Sequence, residues 1–304
     1  MRLSLIAFVL RRVRAGVVLV VLVSSGAFLL GHFAPGDATT DAFLAGAGKA
    51  AVAQQRARLG LDRPLGSQLG EWIADLAHFD LGTSSLYGQP VLELVSRRAA
   101  NRAVLAAAAL GLATLLGVPL GLLTGSRPRG LLAMIVTPIS IALVSCPPIV
   151  GALALSLLAV RTGWLAVAPG SLAIPALALG LPFAAMLERL QSRATADSLA
   201  SPDLLAAAAR GVPPRRLLWI HAGRQSLQPV LGVFGIVIGA LFGGSLAVEY
   251  ITAWPGLGRL TYDALTHRDL FLVAGCALLG AVFLACGNLI ADVVRAIVDP
   301  RVRG

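Results

Sequence analysis

Residues 205 to 231, LAAAARGVPPRRLLWIHAGRQSLQPVL, crowd together side chains capable of chemistry: Arg210, Arg215, Arg216, Arg224 and His221. Guanidinium groups offer forked donors to carboxylate and phosphate, and an imidazole can move a proton or hold a metal. Catalysis or metal binding needs companions, and this stretch has no Cys, Asp or Glu to act as nucleophile, orienting group or co-ligand. The three cysteines, Cys146, Cys276 and Cys286, each lie in an apolar run without CxxC or Cys/His spacing. They read as small core-filling residues. A GxxxxGKS or GxxxxGKT phosphate loop is absent as well. The expected inventory is no catalytic residue, no metal and no cofactor bound by this chain. What remains for the arginine-rich stretch is docking into a groove on another protein, or lying on anionic lipid.

The rest of the chain says where that stretch must sit. Of 304 residues, 57% are hydrophobic and 13% charged, with a mean hydropathy of +0.82. A soluble fold could not hide that much apolar surface from water. The formal charge of +10 does not point to nucleic acid, because the arginines stand at the ends of apolar runs.

Six runs are long and apolar enough to cross a bilayer: 15–33, 103–124, 131–160, 166–187, 227–248 and 270–291. Apart from His32, none holds an ionisable charged side chain, and charge resumes at the edges with Glu188, Glu249 and Asp292. The first run follows RRVR but exceeds a secretory signal's apolar core, so it is expected to be retained. Three spans carry helix breakers: Pro138 with Pro147-Pro148, Pro175 with Pro182, and Gly232, Gly235, Gly239, Gly243 and Gly244. Such helices pack closely or line a pathway.

Orientation follows from arginine. Fifteen of the 25 basic residues fall in the N-terminal tail, the 125–130 turn, the 188–225 region and the C-terminal tail. These segments, and both termini, are therefore expected in the cytoplasm. Arg97, Arg98 and Arg102, at the outer end of the second span, run against the rule, which long translocated segments obey poorly. The segment 34–98 is expected outside the membrane as a cap on the outer face, with a short helix over 50–59. Core helices occupy 100–298 of what reads as a single 1–304 transmembrane domain.

The polar stretch itself is expected to turn sharply. Ser201 is an N-cap candidate, Pro202 the first helical position, and Gly211 the left-handed stop after DLLAAAAR. Pro213-Pro214 prevents direct continuation and restarts a helix at RRLLWIHAGRQ. Two short helices and a corner result.

These residues resemble the EAA loop of ABC-importer permeases of the dipeptide/oligopeptide/nickel class. Ala206, Ala207, Ala209 and Gly211 match its first part, and Arg215, Arg216, His221, Arg224 and Pro229 its second. GHFAPGD at 31–37, the run from Leu59 to Ser84, SCPPIV, AIPALALGLP, EYITAWPGLGRL and the C-terminal NLIADVVRAIVDPRVR resemble further parts of that class, in order. The chain departs from the pattern at Leu205, where the general motif has Glu, at Asp203 and at Pro213.

The resemblance implies an all-α, six-span, type I importer permease with both termini inside and a cytoplasmic coupling helix between the fourth and fifth spans. It implies a protein of the bacterial cytoplasmic membrane, forming half of a pathway for peptides and performing no chemistry. The implied partners are a second homologous permease, two ATP-binding subunits or domains that hold ATP and Mg, an extracytoplasmic solute-binding protein, and lipid. Ala206, Ala207, Gly211, Arg215, Arg216 and His221 would couple to the ATPase, while Trp254, Pro255, Gly256 and Gly258 would shape the outer loop after the fifth span. Asp299 and Arg301 would cap and anchor the last helix. Nickel chelates or another small solute are the alternative cargo. An ion-coupled secondary transporter is the alternative class, and it would need intramembrane acids or bases.

Overall fold

A computed structural model describes residues 2–33, 39, 48–58, 62–163, 170–243 and 245–298. Asp299, Arg301, Gly244, and parts of the GHFAPGD and C-terminal motifs lie outside them. The described residues form helices and a single isolated bridge, Thr83 with Pro90. In chain order these are α1 (Arg2–Phe33), α2 (Lys49–Arg58), α3 (Leu65–Ala77), α4 (Val91–Ser126), α5 (Leu131–Ser145), α6 (Pro148–Thr162) and α7 (Ala173–Leu199). There follow α8 (Pro202–Ala209), α9 (Pro214–Arg216), a π-helical turn π1 (Leu217–Ala222), α10 (Gly223–Gly243), α11 (Leu246–Ile251), α12 (Leu257–Thr266) and α13 (Leu270–Val298). Five stretches are long and apolar enough to cross a membrane, and the pair α5 and α6 gives a sixth crossing if counted as one span.

The third span expected over 131–160, with Pro138 and Pro147-Pro148 as its helix breakers, is this bent pair. The chain bends by 109° between Ser145 and Pro148. Cys146 and Pro147 are both extended, at φ −87 ψ 119 and φ −57 ψ 139. A proline drives the residue before it out of the helical region, and two in succession do so to both Cys146 and Pro147. Single prolines, such as Pro119, Pro138, Pro182 and Pro229, are absorbed inside helices.

The other spans keep their expected places but shift their ends. The fourth begins at Ala173 and runs to Leu199, beyond the expected 187. The fifth helix begins at Pro214 and its α10 part ends at Gly243, short of 248. Arg97, Arg98 and Arg102 lie inside α4. The expected short helix over 50–59 is α2.

The chain divides into two compact units. The first comprises 1–9, 103–254 and 287–304. Its centre is α7, against which α5, α6 and α10 pack. Leu105, Ala109, Leu179, Leu187, Val230 and Val237 form its core. On α4, Gly117, Gly121 and Gly125 recur every four residues, on one face, and press against α7. A Cβ on Gly117 would stand 2.5 Å from the Ala184 carbonyl oxygen, and one on Gly121 2.5 Å from Gln191 Cβ, while one on Gly125 would overlap the Ser192 carbonyl. This is the close helix approach that small residues allow in lipid. The glycines singled out in the fifth span are not all equivalent to these: Gly232 has nothing within 4 Å of its missing Cβ.

The second unit comprises residues 10–102 and 255–286. Phe28 stacks on Trp72 at 5.5 Å and Phe271 leans against both. Asp269, fully buried, ties the segment before α4 to the start of α13. Its carboxylate accepts from Ser84 Oγ at 2.6 Å, from the Leu86 N–H and from the Leu272 N–H, both at 3.1 Å. Tyr87 donates toward Asp263 at 3.4 Å; partial burial and that negative neighbour hold its phenol proton above the ordinary range.

Candidate functional site

The site grows from the corner between α7 and α10. Ser201 is extended, Pro202 occupies the first turn of α8, and Asp203 lies in the same turn, where it complements the helix dipole. The Ser201 hydroxyl makes no capping bond, so the proline and the backbone start the helix, contrary to a side-chain cap. The other end closes as a Schellman motif. The Gly211 N–H bonds to the Ala208 carbonyl at 3.0 Å and the Val212 N–H to the Ala207 carbonyl at 3.3 Å. Gly211 has φ +85 with open space where a Cβ would be, so backbone conformation alone demands glycine there.

α8 has two faces. Leu204 and Ala207 turn inward, Ala207 being 8% exposed, and α8 packs against α7 and π1. Leu205, 57% exposed, lies with Ala206, Ala208 and Ala209 on the outward face. Of the two alanines expected to couple, Ala206 is therefore available to a partner and Ala207 holds the helix in place.

After Pro213 the chain re-enters helix, but not as a second short piece. The first turn, Pro214–Arg216, passes through π1 into α10 with helical dihedrals at both joints: Leu217 at φ −59 ψ −45 and Gly223 at φ −57 ψ −46. The corner thus leads straight into the base of the fifth span. Arg215, Arg216 and His221 are exposed along it, and His221 lies in the π-turn. π-turns concentrate at functional sites. Ala222, by contrast, is buried.

Behind the corner lies a polar seam that the sequence did not reveal. Glu188, expected at a membrane edge, is buried in the middle of α7 at 2% exposure. Thr124 Oγ1 on α4 donates to one carboxylate oxygen and Ser140 Oγ on α5 to the other, both at 2.7 Å. One turn on, Gln191 Nε2 donates to Ser226 Oγ on α10 at 2.6 Å and lies 3.2 Å from Thr195 Oγ1. Buried hydroxyls and amides that bond to one another fasten helices in lipid. The spacing of Gly117, Gly121 and Gly125 was the signal that α4 and α7 lie close enough for it.

The outer residues separate. Trp254 is buried in the core of the first unit, and its backbone N–H donates to the Glu249 carbonyl at 2.9 Å. Pro255 accepts from Asn101 Nδ2 at 2.8 Å, Gly256 precedes α12 in extended conformation, and Gly258 is buried within α12. Trp254 is thus a packing residue and Pro255 an anchor for the turn. Among the described residues, no cluster of three or more His, Cys, Asp or Glu could hold a metal.

The chain is similar to known proteins over nearly its whole length. Residues 117–304 match the family described as binding-protein-dependent transport system inner membrane component, and residues 5–93 match that family's N-terminal region. A Brucella suis protein named as a peptide transport system permease is 34% identical, over 97% of this chain and 98% of its own. The oligopeptide transport system permease protein AppB of Bacillus subtilis is 30% identical over 97% and 99%. The glutathione transport system permease protein GsiC of Pectobacterium atrosepticum is 30% identical over 91% and 92%.

Proposed function

The chain belongs to the family of binding-protein-dependent transport inner membrane components, and from that membership we propose how its α8 corner serves import. It is a multi-pass protein of the bacterial inner membrane and a permease subunit of an ABC peptide importer. Such a permease works with a solute-binding protein and an ATPase. In our reading the arginine distribution puts α8 and both termini in the cytoplasm. Two ATP-binding subunits or domains there hold the ATP and magnesium, and this chain holds no cofactor and catalyses no reaction. One such chain forms half of the pathway and a second, homologous permease the other half. The solute-binding protein delivers peptides at the opposite face.

The observation that carries the coupling role is the division of α8. Its outward face, Leu205, Ala206, Ala208 and Ala209, is small and apolar, while Leu204 and Ala207 fix it to α7 and π1. Leu205 gives this surface an apolar anchor where the general motif has Glu. A groove on the ATPase that closes on α8 moves it, and the π-helical joint passes that displacement into α10. Packed helices shift between discrete arrangements as rigid bodies, which is the motion that alternating access requires. Arg215, Arg216 and His221 flank the docked helix as donors.

The ion-coupled alternative needs an intramembrane acid able to take up a cation. Glu188 is such an acid by position, yet both of its oxygens accept from hydroxyls of neighbouring helices. Nickel chelates as cargo find no support in relatives named for peptides, oligopeptides and glutathione.

The test is purification from native membranes in mild detergent, with partners identified by mass spectrometry. Recovery of a second permease and ATPase subunits is expected, and loss of the ATPase alone from an Ala206→Arg variant assigns the contact to α8. A chain that emerges alone or as a self-oligomer overturns the reading.

A further inference from the structure

Beside the corner, a cleft of about 620 Å³ opens between the end of α4, the start of α5, Leu199 and the α9–π1 segment. No residue of α8 lines it, although Arg215, which flanks the docked helix, does. Its wall carries six leucines, Trp219 and two arginines, Arg127 and Arg215, with no acidic residue. Both arginines are exposed, and no described carboxylate forms an ion pair with either among the salt bridges of the described residues. Leu131 is 75% exposed, and Leu123 and Leu132 are also open to the surroundings.

From this combination we propose that the cleft binds one anionic phospholipid, with phosphate on the two guanidinium groups and acyl chains over the leucines. Position supports it. One side of the cleft is the turn between α4, which ends at Ser126, and α5, which begins at Leu131, where one apolar run leaves off and the next resumes. On the other side Trp219, 49% exposed, offers an amphipathic indole of the kind that sits well among lipid headgroups. Guanidinium forks match phosphate oxygens. A free inorganic anion would leave six leucines facing water, whereas a lipid satisfies both parts of the wall. A zwitterionic lipid brings a cation toward two arginines that no described carboxylate pairs with, which selects for net negative headgroups. The bound lipid would brace the base of the fifth span against the α4–α5 turn, next to the joint that carries the coupling motion.

The inference does not require the ATPase reading, so its test uses the full chain, with whatever subunits co-purify. After delipidation, native mass spectrometry is run with phosphatidylglycerol and phosphatidylcholine of identical chains. The wild type is expected to retain one phosphatidylglycerol in preference to phosphatidylcholine. Arg127→Gln is expected to weaken that retention roughly five- to tenfold, while Arg129→Gln, outside the cleft, leaves it unchanged. In parallel, phosphatidylglycerol brominated near the headgroup end of its chains should quench the emission that a Trp219→Phe variant lacks. Equal retention of the two lipids, an Arg127→Gln variant that binds like wild type, or quenching that spares Trp219 overturns the proposal. So does loss of the Trp219 quenching when ATPase subunits are added, because the cleft is then a protein contact. Both lipid faces are equivalent in these measurements, so the result is independent of how the chain is inserted.

Discussion

Ser140 Oγ donates to Glu188 Oε2 at 2.7 Å across the gap between α5 and α7, in a site where Glu188 is almost wholly buried. With Thr124 on the other oxygen, the bond makes one carboxylate the junction of three helices. Ser140→Ala should leave that oxygen unsatisfied and lower stability by about 1–3 kcal/mol. Thermal unfolding of the purified protein by intrinsic fluorescence measures it. A Tm indistinguishable from wild type would mean the seam contributes nothing to holding α5 in place.

Gly121→Ala places a methyl 2.5 Å from Gln191 Cβ and 2.6 Å from the Glu188 carbonyl oxygen. Backbone cannot yield as a flexible side chain does, so a loss of roughly 1–3 kcal/mol is expected. Gly232→Ala, with open space around the new atom, should be neutral or slightly stabilising. The two Tm values side by side decide whether close approach or glycine content matters.

Gly211→Asp and Gly211→Val test the corner. With no neighbour in the way, their cost is the left-handed backbone, about 1–2 kcal/mol and greatest for the β-branched residue. The helices should stay folded while peptide uptake into proteoliposomes falls sharply. Uptake equal to wild type would show that the corner's geometry does not set coupling.

Ala206→Arg and Ala207→Leu separate the faces of α8. The first adds charge to an exposed position and should abolish ATPase co-purification without moving Tm. The second overpacks a buried position, costing about 1–3 kcal/mol, and should lower Tm. If the two variants behaved alike, the two-faced reading of α8 would be wrong.

Asp269→Ala removes the acceptor for Ser84 and for two backbone N–H groups. Hydrogen bonds to a charged acceptor contribute about 1.5–3 kcal/mol each. Limited proteolysis should therefore cut the segment before α4 sooner than in wild type, whereas an unchanged cleavage rate would show that Asp269 is not its anchor.

Much of this organisation was legible in the residues. Long apolar runs must be helices in lipid, because their backbone groups have no other partner there. Clustered arginine predicted one polar side, and Pro202, Gly211 and Pro213-Pro214 predicted the bounds of α8 from steric rules alone. The bend after Ser145 was also signalled by Pro147-Pro148, but a hydropathy reading runs straight through it, since prolines do not interrupt apolarity. Glu188 closes an apolar run in the sequence, but nothing local to it shows that it is buried between helices. The hydroxyls that bond it, 64 and 48 residues away, converge on it only in the fold.

The sequence by itself determined that this protein is helical, crosses the membrane several times and carries one rigid polar corner. Those outcomes rest on burial of apolar side chains and on φ restrictions at Pro and Gly, which act within a few residues. Tertiary structure alone decided that Ala206 faces out while Ala207 faces in, that the second half of the corner is the root of α10, and that Arg127 and Arg215 share a cleft. Each of these depends on which helix lies against which, and that is set by long-range packing, not by local residue type.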